Sequence, residues 1–258
     1  MSSILFTIEN GTGFITLNRP AKLNAFNGEM ALLLQQMLDK CASLHEVRCV
    51  CITGAGKGFS AGQDLEDVIN PAGPGIQRVL QEYYNPIITR IYNLPKPVVA
   101  AVNGVAAGAG ANIALCCDVV VATQSASFIQ AFSKIGLIPD SGGTFTLPRL
   151  IGRQKASALM MLGDKVSATE AERLGMVYKV FADDIFMQEA KGIAATLANM
   201  PTKGLALTKQ ALQYSAINSM EAQLLLEDEL QQKAAATYDF KEGVQAFLEK
   251  RKPAFKGE

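Results

Sequence analysis

Residues 96–118, KPVVAAVNGVAAGAGANIALCCD, contain the pattern that decides the fold. The part from 97 to 117 carries no charge and is long enough to resemble a membrane span. Its glycines and asparagines, however, would leave backbone groups poorly satisfied in lipid. They favour a buried strand over 97–102, a tight turn, a helix over 109–116 and a strand over 118–122. This alternation of strand and helix predicts an α/β core.

The rest of the chain continues the alternation toward its start and replaces it with helices toward its end. Residues 4–8 and 14–17 flank Asn10-Gly11, which predicts a hairpin of two antiparallel strands. Periodicity gives four further elements, which are a helix around 30–38, a strand over 47–53, a loop over 54–65 and a helix over 75–93. Strand signals become sparse after Gly152. We therefore predict a core over 1–198 and a helical C-terminal region over 199–258.

The composition narrows the range of partners and compartments. Lys and Arg total 24 and so do Asp and Glu, so no net positive field attracts nucleic acid or an anionic membrane. The five cysteines include no C-x-x-C pair, which disfavours a disulfide framework and a zinc site. Neither a secretion signal nor a peroxisomal address is recognisable. We expect a cytoplasmic protein that binds neither metal, nucleic acid nor membrane.

Two glycine-rich loops, at 54–62 and at 108–110, each follow a predicted strand. Neither fits a nucleotide-binding fingerprint, because both lack the final glycine of the dinucleotide motif and Lys57 is followed by glycine instead of Ser or Thr. Small residues let a ligand approach the backbone, so that amide N–H groups can point at it. The residues alone leave two alternatives open. The loops either form an oxyanion hole from two N–H donors or allow tight packing of helix against strand.

Five motifs, in order along the chain, resemble the crotonase superfamily, whose members include enoyl-CoA hydratases and isomerases. They are LNRPAKLNAF (17–26), FSAGQDL (59–65), KPVVAAVNGVAAGAGANIALCCD (96–118), AFSKIGLIPDSGGTFTLPRLIGRQKA (131–156) and GVQAFLEKRKPAF (243–255). The resemblance covers nearly the whole chain. It implies a spiral of ββα units and a helical C-terminal region that forms trimers, which can pair into hexamers.

The resemblance also implies a site for an acyl-CoA thioester, with no separate cofactor. The thioester carbonyl is expected to lie between the backbone N–H groups of Gln63 and Ala109. The remaining substrate and CoA contacts are expected from Lys22, Leu23, Ala25, Ala61, Asp64, Leu65, Gly108 and Phe132.

Two positions depart from the hydratases of this superfamily, which carry two glutamates. This chain has Asn112 and Phe132 there, and it has Asp140 where the hydratases usually have glycine. Hydration needs one group to activate water and another to deliver a proton, and neither Asn nor Phe can do so. We therefore predict a single-base isomerase with Asp140 as the base. Without the resemblance, the residues alone favour the alternative that Asp140 caps a helix that begins near Gly142.

Two substrates fit this interpretation, a straight-chain 3-enoyl-CoA and the ring 1,2-epoxide of phenylacetyl-CoA, which rearranges to an oxepin. The stretch 131–144 resembles the ring-expanding isomerases of phenylacetate degradation. Phe132, Tyr83 and Tyr84 can favour a ring by stacking, or they belong to the core.

Other members of the superfamily give the rival hypotheses. A hydratase needs the two missing acids, and a dehalogenase-like member uses histidine and tryptophan, whereas this chain has no Trp and only His45, which we place in a surface turn. A non-catalytic member that binds acyl-CoA or RNA is the alternative from a different class. The balanced charge disfavours RNA.

Overall fold

The computed structural model of the protein describes residues 2–69 and 73–258. The described residues form ten strands, which are β1 (Ile4–Glu9), β2 (Thr12–Leu17), β3 (Cys49–Gly54), β4 (Gly58–Ser60), β5 (Val98–Val102), β6 (Val105–Ala107), β7 (Val119–Thr123), β8 (Ser127–Ile129), β9 (Lys165–Ser167) and β10 (Lys179–Phe181). The predicted hairpin is confirmed, since β1 and β2 pair antiparallel with Ile4 opposite Leu17. The prediction of a loop over 54–65 was wrong in part, because this stretch contains β4.

The helices are α1 (Gly28–Ser43), α2 (Leu65–Ile69), α3 (Gly75–Arg78), α4 (Asn85–Asn93), α5 (Ala109–Leu115), α6 (Gly143–Leu162), α7 (Ala168–Leu174), α8 (Phe186–Asn199), α9 (Thr202–Ser215), α10 (Met220–Ala235) and α11 (Tyr238–Leu248). A π-helical turn, Val79–Tyr84, joins α3 to α4, so the helical prediction for 75–93 is confirmed. Single 3₁₀ turns occur at Pro20–Lys22 and Ala131–Ile135. Within the described ranges, no helix is long and apolar enough to cross a membrane.

The strands divide between two sheets that the chain visits alternately. One sheet has the order β1-β2-β3-β5-β7-β10, and the other has the order β4-β6-β8-β9. The pairs β3 and β4, β5 and β6, and β7 and β8 each place one strand in either sheet before the next helical segment. This repetition is the predicted spiral of ββα units. The segment that suggested a membrane span therefore consists of β5, β6 and α5.

Successive residues of the central strands face two separate hydrophobic clusters. Val98, Ala100 and Val102 belong to the main core, whereas Val99 and Ala101 contact a second cluster that α8 covers. Strands that are parallel and covered on both faces contain continuous apolar runs. This double burial explains why the sequence from 98 to 102 shows no alternation of polar and apolar residues.

The C-terminal helices leave large apolar side chains uncovered by the rest of the chain. Leu224 and Leu225 are 57% and 73% exposed, and Phe247 is 83% exposed. The Leu224 and Leu225 side chains are therefore mostly exposed on a single copy of the chain. The boundary at residue 198 falls inside α8 and stays a prediction.

Candidate active site

A cavity of about 440 Å³ opens where the loop after β4, the loop after β6 and the segment before α6 meet the helical segment 75–85. Seven of the residues predicted for the site line it, namely Ala61, Gln63, Leu65, Gly108, Ala109, Phe132 and Asp140. Most of the remaining wall is apolar, with Ile76, Val79 and Leu80 contributed by the helical segment. Three of the five motifs that carried the prediction, at 59–65, 96–118 and 131–156, therefore meet at one site.

The residues on either side of Gln63 form backbone hydrogen bonds with Phe26, whereas the N–H of Gln63 itself does not. The Phe26 N–H donates to the Gly62 carbonyl at 2.7 Å, and the Asp64 N–H donates to the Phe26 carbonyl at 2.8 Å. Successive N–H groups of an extended segment point to opposite sides. The N–H of Gln63 therefore faces away from Phe26.

The second predicted donor, Ala109, is the first residue of α5, where backbone N–H groups have no partner within the helix. The loops that carry Gln63 and Ala109 are in contact, because a Cβ added at Gly62 would lie 3.4 Å from the Ala109 nitrogen and 2.8 Å from the Ala107 carbonyl oxygen. Gly62 also has a φ of +89°, which glycine adopts without strain. The two loops thus have the proximity that an oxyanion hole requires, and the role of the two amides stays a prediction.

Asp140 lies in the turn before α6 with its side chain half-buried. The Ser141 hydroxyl donates to Oδ1 of Asp140 at 2.7 Å. The helix begins at Gly143, its N-cap is Gly142, and no side chain caps it. The interpretation of Asp140 as a helix cap is therefore wrong, and its carboxylate belongs to the cavity wall.

The surroundings of Asp140 raise its pKa above the ordinary value because burial disfavours the charged carboxylate, while the Ser141 hydroxyl opposes the shift. Apolar side chains surround Asp140, since Phe132, Leu137 and Ile138 all line the same cavity. Phe132 is only 5% exposed, whereas Ile138 is 81% exposed and lies at the rim. Through the part of the chain that the structure describes, no Lys or Arg forms an ion pair with Asp140.

Asn112 and Phe132, which stand where hydratases have glutamates, both have structural surroundings. The fully buried Asn112 amide donates from Nδ2 to the Asp140 backbone carbonyl at 2.8 Å. Its Oδ1 accepts from Gln130 Nε2, also at 2.8 Å. The Phe132 ring lies over Gly108, where an added Cβ would be 3.7 Å from the ring.

Four residues predicted to contact CoA lie beside the cavity wall and not in its lining. They are Lys22, Leu23, Ala25 and Asp64. The Leu23 carbonyl accepts from the Ala61 N–H at 2.9 Å, and the Lys22 ammonium pairs with exposed Glu66.

Arg19 contacts two of those four residues, Ala25 and Asp64. Its guanidinium donates to the Ala25 carbonyl and pairs with the buried Asp64 carboxylate at 2.9 Å. The Asp64 carboxylate also accepts from the Glu66 N–H. Asp64 is therefore engaged within the protein itself, and its predicted contact with CoA stays untested.

Tyr84 makes a contact in the cavity wall that the sequence did not predict. It lines the cavity and is 1% exposed, and its hydroxyl donates to Oε1 of Gln63 at 2.8 Å. Tyr83 instead contacts α1, where an added Cβ at Gly28 would lie 2.8 Å from its hydroxyl. Tyr84 stands at i, i+3, i+7 spacing with the buried Ile87 and Ile91, but Tyr83 stands at i, i+4, i+8 spacing with the same residues, so the sequence does not distinguish the two tyrosines. His45 lies in an exposed turn between α1 and β3, as predicted.

Comparison with known proteins gives matches over the full length of the chain. The family described as "Enoyl-CoA hydratase/isomerase" matches residues 7–258. The 1,2-epoxyphenylacetyl-CoA isomerase of Escherichia coli strain K12 is 47% identical and aligns over 100% of this chain and 99% of its own length. The trans-2-decenoyl-[acyl-carrier-protein] isomerase of Streptococcus mutans is 36% identical, with 98% of each chain covered.

The solved structures give the same result for the fold. The crystal structure of an enoyl-CoA hydratase from Bacillus anthracis superimposes with a TM-score of 0.92 at 34% identity, covering 99% of this chain and 100% of that one. The similarity therefore includes both the spiral core and the C-terminal helices.

Proposed function

Because the chain belongs to the enoyl-CoA hydratase/isomerase family, we propose that it is an acyl-CoA isomerase in which Asp140 is the single acid and base. One observation carries the proposal. Among the described residues that line the cavity, Asp140 is the only one with a carboxylate. A reaction that moves one proton between two carbons of the same substrate needs only one such group.

The proposed cycle begins with the thioester carbonyl oxygen accepting hydrogen bonds from the N–H groups of Gln63 and Ala109. The Asp140 carboxylate removes a proton from C2 of a 3-enoyl-CoA, and the negative charge that develops spreads to the thioester oxygen. The Asp140 carboxyl then returns the proton to C4, which leaves the double bond between C2 and C3. Each N–H donor in such a site typically stabilises the transition state by about 3 to 4 kcal/mol.

The raised pKa of Asp140 suits this cycle, because a carboxylate that resists ionisation is a stronger base toward a weakly acidic C–H bond. Hydration, by contrast, requires a second group to hold and deprotonate water. Asn112 is fully buried and engaged by Gln130 and by the Asp140 carbonyl, and Phe132 has no titratable group. We therefore propose isomerisation as the main activity.

A ring-epoxide substrate is the second candidate, and the similarity to an enzyme named 1,2-epoxyphenylacetyl-CoA isomerase favours it. An arene epoxide and its oxepin interconvert by electron movement alone, without a proton. What remains is the same transfer of a proton from C2 to the carbon two positions further along. The same Asp140 carboxylate therefore serves both substrates, and the mostly apolar cavity accommodates either acyl group.

The proposed reaction is redox-neutral and returns the proton that it removes. We therefore propose that it needs no cofactor besides the CoA of its substrate. The uncovered apolar residues of α10 and α11 support a homotrimer or hexamer in which these helices contact other copies. Light scattering tests this directly, since a trimer has about three times the chain mass of 27.6 kDa.

The experiment compares Asp140→Asn with the wild type on two substrates assayed side by side, a straight-chain 3-enoyl-CoA and the epoxide of phenylacetyl-CoA. We expect the rate on the preferred substrate to fall by at least ~100-fold, which is the lower range for loss of a general acid or base. Asp184→Asn, at an exposed position, is the matched control and should leave the rate unchanged. A folded Asp140→Asn enzyme that retains most of its rate would falsify the proposal.

A further inference from the structure

We propose that Tyr84 is a positioning residue whose hydroxyl holds the Gln63 side chain and thereby keeps the Gln63 and Ala109 N–H groups open to the thioester oxygen. This inference rests on the proposed function and deepens it. It assigns a task to a residue that performs no proton transfer in the cycle.

Tyr84 reaches Gln63 from a fixed position. It is the last residue of the π-helical turn between α3 and α4, and it is almost fully buried. Its ring packs edge-on against the Phe26 ring, with centroids 6.0 Å apart. Phe26 is the residue whose backbone pairs with the Gln63 segment. Tyr84 therefore contacts both the side chain of Gln63 and the residue that supports its backbone.

Gln63 needs such a restraint because of what lies next to it. Its side chain has a carbonyl oxygen, and a free amide carbonyl beside two N–H donors would accept hydrogen bonds from them in competition with the substrate. The Tyr84 hydroxyl occupies Oε1 at 2.8 Å, and Nε2 donates to the Asp64 carbonyl at 3.1 Å. Both ends of the side-chain amide are thus engaged away from the predicted oxyanion site.

The hydroxyl of Tyr84 remains a donor throughout the working pH range. Burial raises its pKa well above the ordinary value, and the nearby charges of Asp140, Asp64 and Asp67 raise it further. A neutral phenol has one proton to donate, and the geometry directs it to Gln63. Ser141 is left as the side chain that donates to the Asp140 carboxylate.

The test uses Tyr84→Phe, which removes only the hydroxyl. We expect kcat to fall about 10-fold with KM changed less than about twofold, because a misplaced donor weakens the transition state more than the ground state. Tyr83→Phe is the matched control and should behave as wild type, since Tyr83 contacts α1 instead of the cavity. A wild-type kcat in Tyr84→Phe overturns the proposal.

A double-mutant cycle with Gln63→Leu separates positioning from a direct contact with substrate. Gln63→Leu keeps the backbone N–H and removes the competing carbonyl. If Tyr84 acts through that carbonyl, adding Tyr84→Phe to Gln63→Leu should cost no further activity. Losses that multiply in the double variant mean that Tyr84 acts elsewhere, and they overturn the proposal. The cycle also covers the case in which Tyr84→Phe alone folds poorly because Gln63 is left without its partner.

A spectroscopic readout makes failure of this proposal distinguishable from failure of the proposed function. Bound acetoacetyl-CoA forms an enolate with its own near-ultraviolet absorbance when an oxyanion site stabilises it. We expect Tyr84→Phe to weaken enolate formation about 10-fold and to leave binding of free CoA unchanged. An unchanged enolate signal contradicts the positioning role even if Asp140→Asn is inactive. An active Asp140→Asn enzyme contradicts the proposed base and leaves the enolate test valid.

Discussion

Replacing Ser141 with alanine tests the electrostatics of the proposed base directly. In the described part of the chain, Ser141 provides the one side-chain hydrogen bond to the Asp140 carboxylate. Ser141 has a φ of +50°, and alanine has the same Cβ, so the substitution removes the hydroxyl without changing the backbone strain. The expected change is therefore in the pKa of Asp140.

The magnitude follows from the strength of the lost hydrogen bond. A hydrogen bond to a charged group contributes about 1.5 to 3 kcal/mol, and 1.36 kcal/mol corresponds to one pKa unit. Because Asp140 is half-buried, water can replace part of the lost interaction, so we expect a rise of about one unit. Burial already raises this pKa, and the substitution raises it further.

The direction in which the pH profile moves depends on which protonation state of Asp140 is active. The base is the ionised carboxylate, so activity is lost as the pH falls through its pKa. A higher pKa moves the acid limb of the kcat profile toward higher pH, by about one unit, while the plateau at high pH is preserved. Tyr84, which faces Asp140, stays neutral across this range and does not move the limb.

The assay is the pH dependence of kcat on the preferred substrate, measured for wild type, Ser141→Ala and a Ser43→Ala control at an exposed helix end. We expect the control to superimpose on the wild type. An acid limb of Ser141→Ala that stays in place, or that moves to lower pH, would refute this account of the Asp140 carboxylate.

Three further substitutions test the supporting structure and the assembly. Asn112→Asp removes the donor to the Asp140 carbonyl and places a buried carboxylate against it, so the free energy of unfolding in urea should fall by about 3 kcal/mol and no hydratase activity should appear. Arg19→Leu leaves the buried Asp64 carboxylate unpaired and should cost about 3 kcal/mol in the same measurement, much of it recovered by adding Asp64→Asn. Leu225→Glu places a charge on an exposed apolar stripe of α10 and should lower the mass found by light scattering if that stripe is an interface.

Asp140→Asn should lower activity, as proposed above, but it should raise the stability of the fold. The folded state raises the pKa of Asp140 above its unfolded value of about 3.9, so the ionised side chain opposes folding wherever the pH exceeds that value. The neutral Asn variant should therefore have a higher Tm than wild type near neutral pH. The difference should shrink as the pH approaches about 4. A lower Tm at neutral pH would contradict the inferred cost of burying this carboxylate.

The first sheet was predictable from the sequence and the second was only partly so. Strands β3, β5 and β7 are mostly apolar runs of five or six residues, and burial on both faces produces that pattern. Strand β4 has three residues, Gly58–Ser60, and pairs with β6, which lies more than forty residues further along the chain. Such a short strand exists because a distant partner satisfies its backbone, and its own side chains give no periodic signal.

The candidate site was likewise predictable from the sequence only in part. Asp140 was identified by its position in a motif and by the absence of acids at 112 and 132, which are both readable in the sequence. The contact between Tyr84 and Gln63 was not, because it joins two helical and loop segments that only the fold brings together. The ion pair of Asp64 with Arg19, a residue from a different motif, was not predicted either, because it too joins segments that only the fold brings together.

The surroundings of Asn112 show what an acid at position 112 would change in this site. The Asn112 amide is fully buried between a donor, Gln130 Nε2, and an acceptor, the Asp140 carbonyl. A glutamate there has no proton to donate to that carbonyl when ionised, and Gly143 lies close beside the amide, since a Cβ added at Gly143 would lie 2.3 Å from Asn112 Nδ2. The amide at 112 therefore fixes the turn that presents the carboxylate at 140. Moving the acid from one position to the other changes how the turn is held as well as which group transfers the proton.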